Sequence, residues 1–267
     1  MAVGTPSPRR APQALRHRRN ARTLTGGQAA KLRDAFVAVK AISDDRGYQH
    51  HAGIHGLPLP FYCTHGSPLF LPWHRAYLYF FERALQDQVP GVTLPWWNWT
   101  SHRSDGMPPV FTRARTPQGS TNTLRSSAIQ PAGRPPGGPA RTNRAAGAPG
   151  APPLPSPQQI HDVLALDDFL DFQAQLEDIH NGVHVWVGGT MSDIATAAYD
   201  PIFWSHHAMI DRVWRLWQLR HPRGGPPAAL LNQALPPFAM SVAQTLDTNV
   251  LGYDYAASTA AVRGTTR

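Results

Sequence analysis

The chain has 267 residues, 42% of them hydrophobic, with 8 Trp, 10 Phe and 7 Tyr, so it holds one or two domains with a sizeable core and is not a disordered chain. A single Cys against 13 His excludes a disulfide framework, a cysteine-based zinc site and a cysteine-ligated iron–sulfur cluster, and points to imidazole chemistry. The net charge of +8 comes from residues 1–40, where nine Lys and Arg face one acid, and from residues 101–159, where seven Arg face one acid; the remaining body is acidic, which argues against a nucleic-acid-binding face.

Residues 1–24 read as a basic, Pro-containing arm. Arg9 and Arg10 are followed by no apolar stretch, so this start is neither a Sec nor a Tat signal as it stands. The compartment stays open between the cytoplasm and export with a partner. Thr25 is placed to cap a helix, and Leu32, Ala35, Phe36, Val39 and Ile42 follow at helical spacing. Residues 47–71, punctuated by Gly and Pro, read as loop. An aromatic-rich helix is expected over residues 73–88, ended before Pro90. The longest apolar stretch, 60–85, is broken by His65, His74, Arg75, Glu82 and Arg83, so no segment approaches the ~18 residues of a membrane span.

Trp96-Trp97-Asn98-Trp99 reads as core packing. Residues 101–159 turn to Pro, Gly, Arg, Ser and Thr and read as an extended excursion over the surface. Helical patterning resumes over 167–187, with Phe172, Leu176, Ile179 and Val183 as its core stripe. A last helix runs over about 204–219, with Met209, Val213, Leu216 and Trp217 inward, ended by Pro222. The fold class is mainly α, with long irregular loops and little β structure.

The histidines fall into groups. His180 and His184 lie four apart on one helix face. His206 and His207 lie on the next helix, followed four residues later by Asp211, placed to orient an imidazole. His55, His65 and His74 form an upstream group. Two groups of three imidazoles suit two copper ions, and also zinc. A di-iron bundle would need four Glu with paired Glu-x-x-His, and Glu82 and Glu177 are the only Glu nearby. Zinc hydrolases usually add carboxylates or a His-Glu-x-x-His helix, so dicopper is the better reading.

At this point a resemblance becomes specific. His65-Gly-Ser-Pro-Leu-Phe-Leu-Pro-Trp-His74-Arg-Ala-Tyr-Leu-Tyr-Phe-Phe-Glu82 resembles the first copper signature of the tyrosinase family, and Asp200-Pro-Ile-Phe-Trp-Ser-His-His207-Ala-Met-Ile-Asp211 resembles the second. His180-Asn-Gly-Val-His184-Val-Trp-Val-Gly-Gly is similar to the helix between them. Tyr253-Asp-Tyr255 matches the mark that closes the core domain in many fungal-type members. The resemblance implies a four-helix bundle holding a type 3 dinuclear copper site, within a core domain over 25–255 that includes the 103–159 excursion and leaves a tail at 256–267.

It further implies copper A at His55, His65 and His74, with His50 and His51 competing for the first place. Copper B falls to His180, His184 and His207, leaving His206 as a neighbour. Cys63, two residues before His65, matches the Cys that forms a Cys–His thioether in fungal tyrosinases and molluscan haemocyanins. Glu177 and Asn181 correspond to the pair credited with holding a proton-accepting water, and Ile194 falls near a gate residue over copper A. The implied activity uses O2 to ortho-hydroxylate small monophenols and to oxidise o-diphenols to o-quinones, in phenolic or melanin metabolism. Catechol oxidation alone, o-aminophenol oxidation and reversible oxygen carriage are the alternatives. Molluscan carriers keep a domain over the coppers, and only 12 residues follow Tyr255 here, so an enzyme is expected. A copper-delivery partner is compatible with this reading; the oligomeric state is not legible.

Overall fold

The computed structural model describes residues 15–100 and 106–256. The expected arm at 1–14, the tail at 257–267 and the start of the excursion at 103–105 lie outside the described residues. The elements in order are β1 (Arg16–Arg18), α1 (Gly26–Ala41), α2 (Tyr48–His55), α3 (Phe70–Gln88), α4 (Pro109–Thr112), α5 (Pro157–Leu164), α6 (Phe169–Val187), α7 (Pro201–Arg220), α8 (Val242–Thr245) and β2 (Tyr253–Tyr255).

Three of the four long helices, α1, α6 and α7, form where the apolar period and a side-chain cap agree. Thr25 caps α1 in a capping box with Gln28, Asp168 caps α6 through the amides of Leu170 and Asp171, and Asp200 caps α7 ahead of Pro201. Helix α3 packs against α1, α6 and α7, and α6 against α7. Seven Trp, at 73, 96, 97, 99, 204, 214 and 217, are fully buried in the core these helices enclose. Trp204 stacks on Phe81 with ring centroids 3.7 Å apart. No helix among the described residues is long and apolar enough to cross a membrane.

Three expectations are corrected. Residues 47–71 are not loop throughout, because 48–55 form α2. This helix is eight residues long and buries six of them, so tertiary burial holds it where its own length is too short for a stable helix.

The basic stretch before residue 25 is not an arm from residue 15 onward. Strand β1 pairs in parallel with β2, Arg16 opposite Tyr253 and Arg18 opposite Tyr255. The fully buried Arg18 lies over the Tyr253 ring at 3.8 Å. It donates from Nε to Glu82 (2.8 Å) and from Nη1 to Asp211 (3.1 Å) and the Tyr255 hydroxyl (3.0 Å).

The excursion does not merely skirt the surface. Val110, Phe111, Leu124 and Ile129 enter the core. Arg144 donates to Asp200 (2.8 Å) and to the Phe111 carbonyl (2.7 Å), tying the loop to the start of α7. Asn143 and Thr190 exchange hydrogen bonds. Gly189 permits that contact: its φ is +57°, and a Cβ there would stand 2.4 Å from the Asn143 carbonyl oxygen.

Candidate metal centre

Four helices and one connecting segment deliver the six histidines. His55 ends α2, His65 lies on the connection into α3, and His74 sits in the second turn of α3. His180 and His184 are one turn apart on α6, and His207 is in the second turn of α7. The rings form one cluster. His55, His65 and His74 have centroids 5.2–5.7 Å apart, and His180, His184 and His207 lie 4.5–5.4 Å apart. His74 stacks on His207 at 4.7 Å and joins the two groups.

Hydrogen bonds set the tautomers of four rings. The Nδ1 of His55 faces the Ile194 carbonyl (3.3 Å), that of His74 the Phe70 carbonyl (2.8 Å), that of His184 the Met191 carbonyl (2.7 Å) and that of His180 the Asn181 side-chain oxygen (3.0 Å). An oxygen acceptor requires the proton on Nδ1, which leaves each Nε2 with a bare lone pair. Close approach of the backbone serves His55: a Cβ on Gly56 would fall 2.6 Å from the Ile194 oxygen. Burial, reinforced by the neighbouring imidazoles, holds His55, His74, His180 and His207 well below the ordinary histidine range. Burial brings His65 and His184 down to about 4. All six rings are therefore neutral at neutral pH, the state that ligates metal.

The donor set fits a metal. His207 Nε2 lies 3.2 Å from His180 Nε2 and 3.3 Å from His184 Nε2. The Nε2 of His207 thus faces two bare Nε2 lone pairs, and the three ring nitrogens converge on one small space. Metal–nitrogen bonds of ~2.0 Å at tetrahedral angles separate ligand nitrogens by about 3.3 Å. The Nε2 atoms of His55 and His74 are buried with no partner among the described residues. Ligand atoms of His55, His74 and His207 lie within 4.8 Å of one another, as do those of His55, Cys63 and His65.

The other predicted residues are placed as follows. His50 and His51 pack away from the cluster, His51 against Phe81 at 5.5 Å, while His55 is inside it. The Trp99 indole N–H donates to His206 Nδ1 (3.1 Å), which puts the His206 proton on Nε2 and sets it apart from the bare-Nε2 rings. Glu177 is buried, and its Oε1 accepts the Gly66 N–H at 2.7 Å. Burial raises its pKa against that hydrogen bond. Ile194 is 46% exposed, and its contribution to the cluster is its carbonyl. Burial pushes the Cys63 thiol up to about 11.

Asp211 does not orient an imidazole. Its carboxylate binds Arg75, Arg18 and the hydroxyls of Tyr253 (2.7 Å) and Tyr255. One turn beyond His207 on α7, it faces the far side of α3, where two buried guanidinium groups outcompete any neutral ring. The sequence reading also missed Phe70 and Phe203. Each stands four residues before a cluster histidine on the same helix face, with centroids 4.6 Å from His74 and 4.1 Å from His207. The i, i+4 spacing inside each signature is the signal that could have found them.

Residues 45–220 match the family model described as the common central domain of tyrosinase. The chain belongs to the tyrosinase family. It is thus a type 3 copper protein, and the family implies a dinuclear copper site at this cluster. The tyrosinase of Streptomyces antibioticus is 38% identical over 208 residues, covering 65% of this chain and 74% of that protein. The A-type haemocyanin of Enteroctopus dofleini is 31% identical over 278 residues, covering 89% of this chain. This chain spans 21% of that haemocyanin's length. A functional unit of octopus haemocyanin superimposes with a TM-score of 0.78 at 30% identity, covering 90% of this chain and 68% of the unit. The relatives thus include both tyrosinases and haemocyanins.

Proposed function

We propose that this chain is a phenol oxidase that ortho-hydroxylates small monophenols and oxidises o-diphenols to o-quinones with O2. The observation that carries this reading is the open side of the cluster. His65 and Cys63 are only half-buried, while the other five cluster histidines are buried. Exposed Phe61 (44%) lies two residues before Cys63, and exposed Ile194 (46%) meets the Nδ1 of His55 through its carbonyl. Oxygen needs no such opening, whereas an aromatic ring needs an apolar edge beside the metal ligands.

Bound by His55, His65 and His74 and by His180, His184 and His207, two copper ions supply the O2 activation and two-electron redox chemistry. The protein holds the imidazoles neutral and oriented through the carbonyls of Ile194, Phe70 and Met191. A phenol of pKa ~10 must lose its proton to bind as phenolate. We assign that proton to Glu177, through a water shared with Asn181 one turn on. Its raised pKa suits proton acceptance, and its Oε2 has no hydrogen-bond partner among the described residues.

Side-by-side turnover of tyrosine, catechol and o-aminophenol by the copper-loaded protein tests the proposal. Tyrosine and catechol should both be consumed with O2 uptake. Catechol without tyrosine would reduce the activity to catechol oxidation, and o-aminophenol as the preferred substrate would redirect it. Reversible O2 uptake with no catechol consumed would establish a carrier instead, the reading that the haemocyanin likeness favours.

We also assign a thioether between Cys63 Sγ and a ring carbon of His65. It would form with loss of the thiol hydrogen and one ring hydrogen, the two protons and two electrons being taken up by O2 to give hydrogen peroxide. In copper-loaded, aerated protein the peptide holding both residues should be lighter by two hydrogen atoms and resist alkylation; a freely alkylated Cys63 would refute the link.

A further inference from the structure

We propose that Gln173 and Glu177, one turn apart on α6, are positioning residues that clamp the His65 loop, so that one helix sets the ligands of both metals. The proposal rests on the dicopper reading for its consequence, though not for the contacts themselves.

The stretch 63–69 carries His65 into α3 and has little to hold it. Helix α3 begins at an N-cap, Leu69, that offers no side-chain cap, so its first amides need partners from elsewhere. The Ser67 carbonyl takes the Phe70 N–H (3.0 Å), and helix α6 supplies the acceptor for the next amide and holds Ser67 itself. Gln173 accepts the Leu71 N–H through Oε1 (3.4 Å) and donates from Nε2 to the Ser67 carbonyl (2.7 Å). Glu177 accepts the Gly66 N–H through Oε1 (2.7 Å), and a carboxylate acceptor makes this the strongest of the three bonds. Both side chains are buried, at 4% and 6% exposure. Among the described residues, no other element's side chain hydrogen-bonds to 63–69.

His65 needs such help more than the other rings. His55, His74, His180 and His184 each have an oxygen at Nδ1, whereas the Nδ1 atoms of His65 and His207 are buried without a partner among the described residues, and of these two only His65 lies outside a helix. Its orientation therefore comes from the backbone of its loop and from packing. Three residues after Glu177, the same helix presents His180, whose ring stacks on His65 at 5.7 Å and 24°. The clamp ties the loop holding a copper A ligand to the helix holding two copper B ligands.

The two oxygens of Glu177 make the clamp separable from the proton role. Glu177→Gln keeps an acceptor for Gly66 and removes the base; Glu177→Ala removes both. Copper per chain, chelator competition and EPR read the outcome, because a lone Cu(II) gives a signal that a coupled pair does not. Glu177→Ala and Gln173→Ala should weaken one copper of the two by about 10–100-fold, leaving an EPR-visible lone ion. Glu177→Gln should keep both coppers while losing tyrosine hydroxylation.

Two coppers held at wild-type affinity by Glu177→Ala would overturn the proposal, as would equal copper loss in Glu177→Gln. Should the alanine variants fail to fold, amide exchange in the unaltered apoprotein decides. Gly66 is an exposed loop residue, so its N–H should exchange far more slowly than in a free peptide only if Glu177 holds it; free-peptide exchange overturns the clamp. A wild-type protein that binds no copper would defeat the dicopper reading and leave the Gly66 result to stand or fall separately.

Discussion

Replacing Asp211 with Ala should destabilise the protein by about 3–5 kcal/mol, the largest stability loss expected from any single side chain outside the copper cluster. Asp211 is 3% exposed, and the side chains of Arg18 and Arg75 are fully buried. Removing the carboxylate leaves the buried Arg75 without its acid and Arg18 with Glu82 alone, and breaks the bonds from Tyr253 and Tyr255. Four elements meet at this one side chain: β1 through Arg18, α3 through Arg75, β2 through the two tyrosines, and α7 itself.

Thermal unfolding of the apoprotein should show a fall on the order of 10 °C. Adding Arg75→Met to the variant should recover part of it, since an unpaired buried cation costs more than an apolar group of similar size. A loss under about 1 kcal/mol would show that the network is worth no more than an exposed pair. The pH sense follows from the charge. Burial pushes Asp211 up, but Arg75 and Arg18 outweigh it and hold its pKa below the usual aspartate value. Its contribution is therefore complete above that usual value and is lost only as pH falls through the lower folded one.

The second large effect belongs to His207. Its Nε2 faces those of both His180 and His184, and its ring stacks on His74, so it touches both halves of the cluster. His207→Ala should remove one copper of two and lower catechol turnover by at least about 100-fold, with little loss of apoprotein stability, because a neutral ring is deleted and no charge is stranded. His206→Ala is the control. His206 carries its proton on Nε2 under the Trp99 bond, so both coppers should remain. Equal copper loss in the two variants would reverse the assignment of ligand and neighbour.

The helical scaffold was legible in the chain itself because its information is local. Apolar residues at a period of 3.6 and the cap at Thr25 are read within one or two turns, and the observed α1, α3, α6 and α7 follow the expected spans closely. His180 and His184 share a face for the same reason. The imidazole chemistry could be stated from spacing, and the family from the resemblance of the two long histidine-bearing stretches to its copper signatures.

Tertiary structure decided what spacing could not. Asp211 has the right interval from His207 to orient it, yet it turns to Arg18, 193 positions away in the chain, and to Arg75, 136 away. Arg18 looks like one more cation of a solvated arm until β1 pairs with β2. The carbonyl that sets the His55 tautomer comes from Ile194, 139 residues on, and the amide held by Glu177 from Gly66, 111 residues back. Hydrogen bonds and ion pairs at such separations leave no period in a sequence, and burial creates them by removing water as the competing partner. The chain names the groups that can bind metal; only the packed fold decides which nitrogen of each ring is left bare.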